Sequence, residues 1–314
     1  MTNKKIAVLI PCYNEEITIK KVIKDFKKTL PKASIYVYNN NSTDKTKEIA
    51  LKEKVIVKDE YLQGKGNVVR SMFRDIDADV YVLVDGDDTY PANEVNKLID
   101  PVLDGKADMV IGDRLSSTYF TENKRPFHNT GNKLVRNLIN HLFKSKVNDI
   151  MTGYRAFSKR FVKCMPVMSQ GFQIETEMTI FSLVYNMNIV EVPITYRDRP
   201  EGSVSKLNTY DDGFKVLMTL FNLFKDNRPF LFFGVLSIFL FILGLLVGVP
   251  VIIEFAKTAF ITKVPSAILA VGLILNSFII FSAGLIMDAV KNKTKFMYES
   301  QMNQIIGNLN RKEK

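Results

Sequence analysis

The sequence predicts an α/β domain with a mostly parallel sheet, followed by two membrane-spanning helices. Up to about residue 200, short β-rich runs alternate with stretches that carry apolar residues at helical spacing. This alternation is typical of a parallel sheet covered by helices. Two long apolar runs follow after residue 229. Because ligands of such sheets bind beyond the carboxyl ends of the strands, the residues just after each strand are the candidates for a functional site.

Five strands are predicted from short runs of β-branched and aliphatic residues. They are Ile6–Ile10, Ile35–Tyr38, Val55–Val57, Val80–Val84 and Met109–Ile111. Amphipathic helices are predicted between them, among others over Glu15–Thr29 and Asn93–Leu103. We therefore expect one globular domain over residues 1–209.

The two apolar runs, Phe230–Ile253 and Val264–Met287, contain no charged residue. A helix rises about 1.5 Å per residue, so each run is long enough to cross a hydrocarbon core of about 30 Å. Two buried core helices are the alternative, and it is disfavoured because two such runs in series would need a very large core. The region 230–290 is therefore predicted as a transmembrane hairpin.

The distribution of basic residues predicts the orientation of the hairpin. Only Lys257 and Lys263 lie between the two runs, whereas a basic tail over residues 291–314 follows the second. By the positive-inside rule both termini lie in the cytoplasm, which makes the chain a multi-pass protein of the cell membrane. The apolar run over residues 6–10 ends at Pro11 and is too short for the core of a secretory signal, so we expect the domain to stay in the cytoplasm.

Two further segments combine an apolar stripe with basic residues, as surface-lying membrane helices do. Residues 210–229 are predicted as an interfacial amphipathic helix, with Phe214, Leu217, Phe221 and Phe224 on one face of Asp211–Lys225. A second stripe lies over residues 134–143. For this second stripe, an ordinary helix packed on the sheet is an equally good interpretation.

Composition excludes several classes of function. The 43 Lys and Arg against 33 Asp and Glu give a net charge of +10, which suits nucleic acid, an anionic membrane or an acidic substrate. Basic and aromatic residues do not interleave into a nucleic-acid groove, and the membrane flanks explain the excess charge. Two cysteines are too few for a disulfide framework, and two histidines disfavour a histidine base or a histidine-rich metal site.

An acidic turn, Asp85-Gly86-Asp87-Asp88, follows the predicted strand Val80–Val84. Carboxylates this close repel one another unless a cation neutralises them, and oxygen ligands favour Mg²⁺ or Mn²⁺. A site for a metal and a diphosphate is one interpretation. An acidic surface turn is the other, since Asp and Gly are also ordinary turn residues.

Polar segments follow the first two strands at the same edge of the sheet. They are Pro11–Glu16 and Asn39–Asp44, which offer amides, hydroxyls and an aromatic ring suited to holding a base and a ribose. Asn14 and Ser42 are also candidates for simple N-caps of the helices that follow.

Five strings in order along the chain resemble the family 2 glycosyltransferases, in particular their polyprenyl-phosphate branch, which is similar to dolichyl-phosphate mannose synthase. The strings are PCYNEE at 11–16, NNNSTD at 39–44, DGDD at 85–88, DIMTGYR at 149–155 and DRPEGSVSK at 198–206. Each string is weakly specific, whereas five in order are strongly so. The resemblance implies a GT-A fold, a nucleotide-sugar donor, a divalent metal and a lipid-phosphate acceptor.

The resemblance also implies roles for residues of the donor site. Pro11, Tyr13 and Glu15 match the nucleotide-binding opening, and Asp85 and Asp87 match the pair that holds the metal and diphosphate. Asn39 stands where many relatives have an aspartate, although an amide also hydrogen-bonds a base or ribose. In Gly64-Lys65-Gly66, the lysine and the backbone amides are candidates for neutralising phosphate, and a plain glycine turn is the alternative.

For the acceptor phosphate, the resemblance points to a set of cations and a hydroxyl. The set is Arg114, Arg155, Arg199, Ser205 and Lys206. Arginine offers a planar fork for phosphate oxygens and lysine a point charge, while surface salt bridges with Asp113, Asp198 or Glu201 are the alternative. Glu177 matches an acidic position of the family, with a role in helix structure, in orienting an arginine or as a base.

These expectations together predict an inverting transfer of a sugar to polyprenyl phosphate at the cytoplasmic face of the membrane. A UDP-sugar is the preferred donor by resemblance, GDP-mannose stays open, and so does a homo-oligomer. One rival is a family 2 enzyme that acts on a glycan hydroxyl, but such enzymes usually carry a QxxRW motif and this chain has no tryptophan. The other is a non-catalytic membrane scaffold, which only Asn39 favours.

Overall fold

The computed structural model of the chain describes residues 4–116, 128–200, 202, 218, 221–222 and 224–312, with the backbone alone for 128–134, 310 and 312. The chain divides into two compact units, one of Met1–Leu217 with Ile305–Lys314 and one of Met218–Gln304. The predicted end of the first domain, at residue 209, lies outside the described residues. So does most of the predicted surface helix Asp211–Lys225.

The first unit is built on a sheet of seven strands in the order β3-β2-β1-β4-β6-β5-β7. The strands are β1 (Ile6–Cys12), β2 (Ser34–Asn39), β3 (Ile56–Asp59), β4 (Val80–Leu83), β5 (Met109–Asp113), β6 (Arg155–Ser158) and β7 (Ile189–Pro193). Only β6 is antiparallel to its neighbours in this sheet. The predicted α/β class and the five predicted strands are confirmed, with β6 and β7 added.

Helices connect the strands and cover the sheet. They are α1 (Ile19–Thr29), α2 (Thr46–Lys52), α3 (Lys65–Asp75), α4 (Val95–Leu103), α5 (His128–Phe143), α6 (Lys159–Cys164) and α7 (Ile174–Val184). Helix α1 buries Ile19, Val22, Ile23 and Phe26, which lie three or four residues apart on one face. It begins later than predicted because residues 13–16 belong to the loop that leaves β1.

The stripe over residues 134–143 belongs to α5 and is divided between core and surface. Val135 and Ile139 are buried, whereas Leu138 is 38% exposed. The buried pair favours the interpretation of this segment as a helix that packs within the domain.

The central strands β1, β4 and β5 are buried along nearly their whole length. Both faces of a helix-covered parallel sheet are apolar, which explains why these strands begin with unbroken apolar runs, IAVLI, VYVL and MVI, rather than with an alternating pattern. This buried platform fixes the carboxyl ends of the strands, where the polar residues begin.

The second unit contains α8 (Pro229–Thr258) and the greater part of α9 (Val264–Lys312). Both are long and apolar enough to be candidate membrane spans, with a mean hydropathy of 2.9 and 2.3 in their most apolar windows. Only 11% and 17% of these windows are buried, which is unlike the core helices of a soluble domain. The residues predicted as a basic tail from 291 onwards continue α9 as helix to Lys312.

Small residues bring α8 and α9 together. The Ser237 hydroxyl donates to the carbonyl of Ser277 over 2.8 Å, and Gly244 lies against Ile274. In an apolar solvent, close backbone approach and such hydrogen bonds are the main attraction between helices. The pair therefore forms a packed hairpin within its own unit.

We expect Gly244→Ala to loosen this hairpin. A Cβ at Gly244 would lie 2.7 Å from Ile274 Cγ1 and 3.3 Å from its backbone nitrogen, and overpacking of this kind costs about 1–3 kcal/mol. Gly272→Ala is the matched control, because no atom lies within 4 Å of its Cβ among the described residues. The temperature at which the detergent-solubilised protein loses monodispersity should fall for the first variant alone. Equal temperatures for both would contradict the packing.

Candidate active site

Loops from four strands meet at the carboxyl edge of the parallel strands. Strand β4 ends at Leu83 and leads into the acidic turn. Its antiparallel neighbour β6 begins at Arg155, which pairs with Leu83, so the loop before β6 lies beside that turn. On the other side of β4, strand β1 leads into Tyr13 and Asn14, and β2 ends at Asn39. The sheet topology thus gathers the strings singled out in the sequence at one edge.

Lys65, the first residue of α3, bridges two carboxylates at this edge. Its Nζ lies 2.5 Å from Asp85 Oδ1 and 2.6 Å from Glu175 Oε1. The side chains of Lys65 and Glu175 are only 9% and 5% exposed. Burial opposes the charge of Lys65, but the negative charges of Asp85 and Glu175 outweigh it and raise the pKa of Lys65 well above its ordinary value. The ammonium group is therefore a permanent positive charge beside Asp85.

Asp87 is paired with a second cation. Its Oδ2 lies 2.5 Å from an Nη of Arg199, in the segment after β7, and its Oδ1 accepts from the Thr89 hydroxyl over 2.7 Å. Burial and the nearby charge of Asp85 raise the pKa of Asp87, which Arg199 partly offsets. Backbone bonding between Arg197 and Thr89 ties the segment after β7 to the acidic turn.

Asp88 is directed to a different partner. Both of its carboxylate oxygens accept from Lys21 of α1 over 2.7 Å, and its backbone is left-handed, with φ of +61°. Of the three predicted carboxylates, Asp85 and Asp87 remain as candidates for a shared cation. Within the described residues no group of three or more His, Cys, Asp or Glu side chains has metal-binding geometry. Two carboxylates fit Mg²⁺ or Mn²⁺ where a diphosphate supplies further oxygens.

The loop after β1 is tied to the acidic turn and to the loop after β2. The Thr18 hydroxyl donates to Gly86 O over 2.6 Å and lies 3.3 Å from Glu15 Oε2. Asn14 donates its backbone N–H to Ser42 Oγ over 3.0 Å. The N-terminal cap residue of α1 is Thr18 and that of α2 is Lys45, so the N-cap roles predicted for Asn14 and Ser42 are wrong. Both residues join two loops instead.

The predicted nucleotide residues differ in accessibility. Tyr13 is 38% exposed, Pro11 is half-buried, and Glu15 and Asn39 are buried. Asn39 donates from Nδ2 to Asp59 Oδ1 over 3.0 Å, at the point where β2 and β3 pair. The exposed ring of Tyr13 and the hydrogen-bonded amide of Asn39 thus lie at the same edge of the sheet, where β1 and β2 end.

The segment Gly64-Lys65-Gly66 is a point of close packing. Gly64 has φ of +127° and donates its N–H to Asn40, and the N–H of Gly66 donates to Gln170 O over 2.9 Å. A Cβ on Gly66 would overlap the carbonyl of Ser169. The N–H groups of Gly64 and Gly66 are therefore bound by protein oxygens, which favours the glycine turn over phosphate binding for these two groups. The lysine side chain stays in the candidate site.

The predicted acceptor residues do not form one open cluster. Arg114 makes a bidentate pair with the buried Asp149, over 2.7 and 2.9 Å, and Ser205 and Lys206 lie outside the described residues. Arg155 is fully buried and donates to the carbonyls of Thr152 and Ile150. The prediction that Arg155 binds an acceptor phosphate is wrong, since its guanidinium holds the loop before β6 from inside the core. Arg199 reaches the edge, at Asp87.

The structure brings Glu175 to the site and places Glu177 elsewhere. Glu177 accepts from the backbone N–H groups of Met168 and Ser169, each over 2.8 Å, which favours the structural role among the three left open for it. Residues two apart on a helix face different directions, so only one of these acids can point at Lys65. Sequence reasoning missed Glu175, because Glu175 and Glu177 both lie in the first turn of α7 and only the packing of that helix brings Glu175 to Lys65.

We expect Gly153→Ala to lower activity about a hundredfold, as displacement of catalytic groups by about 1 Å does. A Cβ at Gly153 would overlap Asp85 Oδ2 and lie 2.9 Å from Lys65 Nζ, so the ion pair must shift. Gly234→Ala is the control, because Gly234 lies within helix α8 and no atom is within 4 Å of its Cβ among the described residues. Turnover per folded protein is the measurement. Equal activity of both variants would contradict the close approach.

The chain is similar to known glycosyltransferases in sequence. The model of glycosyl transferase family 2 matches residues 7–165. Glycosyltransferase AglJ of Haloferax volcanii is 34% identical over 74% of this chain and 76% of its own length. The dolichyl-phosphate hexose transferase of the same organism is 30% identical over 71% of this chain and 95% of its own.

A solved structure has the same fold. Glucosyl-3-phosphoglycerate synthase from Mycobacterium tuberculosis, in complex with Mn²⁺, UDP and phosphoglyceric acid, matches with a TM-score of 0.57 and 21% identity. The match covers 70% of this chain and 78% of that one, and it establishes the predicted GT-A fold. Because the family model matches half of the chain and a relative at 34% identity aligns over about three quarters of both sequences, the chain belongs to glycosyl transferase family 2.

Proposed function

We propose that the chain transfers a sugar from a nucleotide-diphosphate sugar to a polyprenyl phosphate, such as undecaprenyl phosphate, at the cytoplasmic face of the cell membrane. One observation carries the proposal. Two carboxylates at the end of β4, Asp85 and Asp87, are each paired with a cation, Lys65 and Arg199. Alternating charges of this kind suit two phosphorylated substrates and a divalent cation at one edge of the sheet.

Asp85 and Asp87 are the residues that would hold Mg²⁺ or Mn²⁺ with the donor diphosphate. A cation bound there supplies charge neutralisation for the departing nucleoside diphosphate. Lys65 lies within 2.5 Å of Asp85 and keeps its charge, so it is placed to stabilise a diphosphate oxygen as negative charge develops. Glu175, on the far side of the ammonium group, holds Lys65 in position.

Arg199 is the residue we assign to the acceptor phosphate. Its side chain is 26% exposed and its planar fork suits phosphate oxygens. A phosphate monoester is already ionised near neutral pH, so the acceptor needs no strong base, in keeping with two histidines in the whole chain. An acceptor oxygen forms its bond to the anomeric carbon as the bond to the diphosphate oxygen breaks, with inversion.

The relatives and the apolar helices support the lipid acceptor. One relative at 30% identity is a dolichyl-phosphate hexose transferase, and the structural neighbour binds UDP with Mn²⁺. Helices α8 and α9 are candidate spans that would keep the domain beside a membrane-borne substrate. A UDP-sugar is the donor we prefer, with GDP-mannose as the alternative, and a cell-envelope glycan is the destination of the sugar.

Membranes that contain the full chain test the proposal. With radiolabelled UDP-sugars and GDP-mannose, we expect label in a lipid that extracts into organic solvent and is labile to mild acid. Label in a polymer instead would indicate a glycan hydroxyl as acceptor. Purified protein that releases no nucleoside diphosphate with any donor, with or without divalent metal, would contradict an enzymatic role.

A further inference from the structure

Three consecutive asparagines, beginning with Asn39 at the end of β2, hold the end of β3 and the loop that follows it. Asn39 Nδ2 donates to Asp59 Oδ1 over 3.0 Å, and Asn41 Nδ2 donates to Tyr61 O over 2.9 Å. Between them, Asn40 Nδ2 donates to the carbonyls of Glu60 and Leu62 over 2.8 and 2.9 Å. These four hydrogen bonds fix residues 59–62 as a wall at the edge of β2 and β3.

This wall contains two carboxylates. Glu60 accepts from the Leu62 N–H and from the Ser71 hydroxyl, and Asp59 is the other. Its side chain is 25% exposed, whereas Asn39 beside it is 7% exposed. Asp59 Oδ2 also accepts from Lys47 Nζ over 2.5 Å. The hydrogen bonds from Lys47 and Asn39 lower the pKa of Asp59, so it is ionised at neutral pH. An ionised carboxylate has about four lone-pair positions. The two described bonds use one position on each oxygen, so the exposed part of the carboxylate can accept a further hydrogen bond.

The position of Asp59 suits the base of a nucleotide. Strands lie about 4.8 Å apart, so the end of β3, three strands from β4, is about 14 Å from the acidic turn. On the other side of β4, the edge is closed by buried Tyr90, whose hydroxyl accepts from the N–H of Gly153 over 3.0 Å. A nucleoside whose diphosphate lies at Asp85 and Asp87 therefore extends past Tyr13 towards Asp59.

Resting on the donor site proposed above, we propose that Asp59 selects the base of the nucleotide by accepting a hydrogen bond from its ring N–H. Asn39 acts as the positioning residue for this carboxylate. At the ring nitrogen a carboxylate can only accept, so it favours uracil or guanine, whose N3 or N1 carries a hydrogen. It disfavours cytosine and adenine, whose ring nitrogen at that edge presents a lone pair that the carboxylate repels.

The competing interpretation is a surface ion pair with Lys47, which would leave nucleotide binding untouched. Asp75 is a matched control for that interpretation. Its side chain is 26% exposed, it pairs with Lys58 and Arg74, and its pKa is also lowered, first by the hydrogen bond from Arg74. It ends α3, a helix that begins at Lys65 beside the site, so it lies at the opposite edge of the sheet.

The test measures the affinity of the purified full-length protein for UDP, GDP, CDP and ADP in the presence of Mg²⁺ by calorimetry. We expect UDP or GDP to bind about tenfold or more tightly than CDP and ADP. Asp59→Asn should lower the affinity for the preferred nucleotide about tenfold and reduce the ratio of that affinity to the affinity for CDP. Asp75→Asn should have the affinities of the wild type. Methylation of the base ring nitrogen, as in N3-methyl-UDP, removes the donor and should weaken binding to the wild type about tenfold or more. The loss should be smaller for Asp59→Asn, whose neutral amide oxygen accepts a weaker hydrogen bond.

The methylated nucleotide keeps the test valid where a variant does not fold, because it needs only the wild-type protein. Equal affinities of wild type, Asp59→Asn and Asp75→Asn for UDP, or a preference for CDP or ADP, would overturn the role of Asp59 and leave the transferase proposal standing. Failure of the wild type to bind any of the four nucleotides would overturn both.

Discussion

Asp87→Ala is expected to reduce sugar transfer about a thousandfold or more while the protein stays folded in the membrane. The substitution removes one of two carboxylates at the edge of β4, and loss of a group that stabilises transition-state charge has effects of about this size. The fold should survive because Arg199, which loses its partner, is 26% exposed and can be solvated. Turnover with radiolabelled donor and thermal denaturation, measured on the same preparation, check both parts.

Asp88→Asn is the control for this result. Asp88 is the next carboxylate in the same turn, but it bonds Lys21 of α1, and its left-handed backbone suits asparagine. We expect turnover within about threefold of the wild type, since a part-exposed ion pair contributes little. If Asp88→Asn were as inactive as Asp87→Ala, the assignment of Asp85 and Asp87 as the pair that binds the donor would be wrong.

Local sequence predicts which residues form the centre of the candidate site. The strand β4 reads as a short apolar run, and the acidic turn follows at its carboxyl end, where parallel sheets bind ligands. Lys65 could be predicted in the same way, because it lies between two glycines at the start of an amphipathic helix. These predictions depend on residues that are neighbours along the chain. The sheet topology then brings the separate loops together at one edge.

Long-range contacts explain what the sequence did not indicate. Strand β6 was not predicted, because it has only four residues and begins with Arg155, a residue type that usually lies at the surface. Arg155 can be buried here because its guanidinium donates to the carbonyls of Ile150 and Thr152. The same fact makes the residue unavailable to a lipid phosphate. Glu175 and Glu177 look alike in sequence, and only the packing of α7 decides which of them meets Lys65.

Lys65→Met is expected to lower turnover about a hundredfold to a thousandfold, because the ammonium group is the charge nearest to Asp85. It should also destabilise the protein. Glu175 is 5% exposed and would lose the cation that compensates its charge, and breaking a buried pair on one side costs about 3–5 kcal/mol. Low activity of this variant alone would therefore not separate chemistry from folding.

The double variant Lys65→Met with Glu175→Gln separates the two effects. Glutamine removes the uncompensated charge, so the free energy of unfolding should recover most of the loss, whereas the charge beside Asp85 is still missing and transfer should stay low. Glu175→Gln alone keeps a hydrogen-bond acceptor for Lys65 and should lower turnover about tenfold. Thermal denaturation and turnover of the four proteins form a double-mutant cycle. Recovery of turnover together with stability in the double variant would mean that Lys65 serves the fold, and that another cation, with Arg199 as the first candidate, neutralises the departing diphosphate.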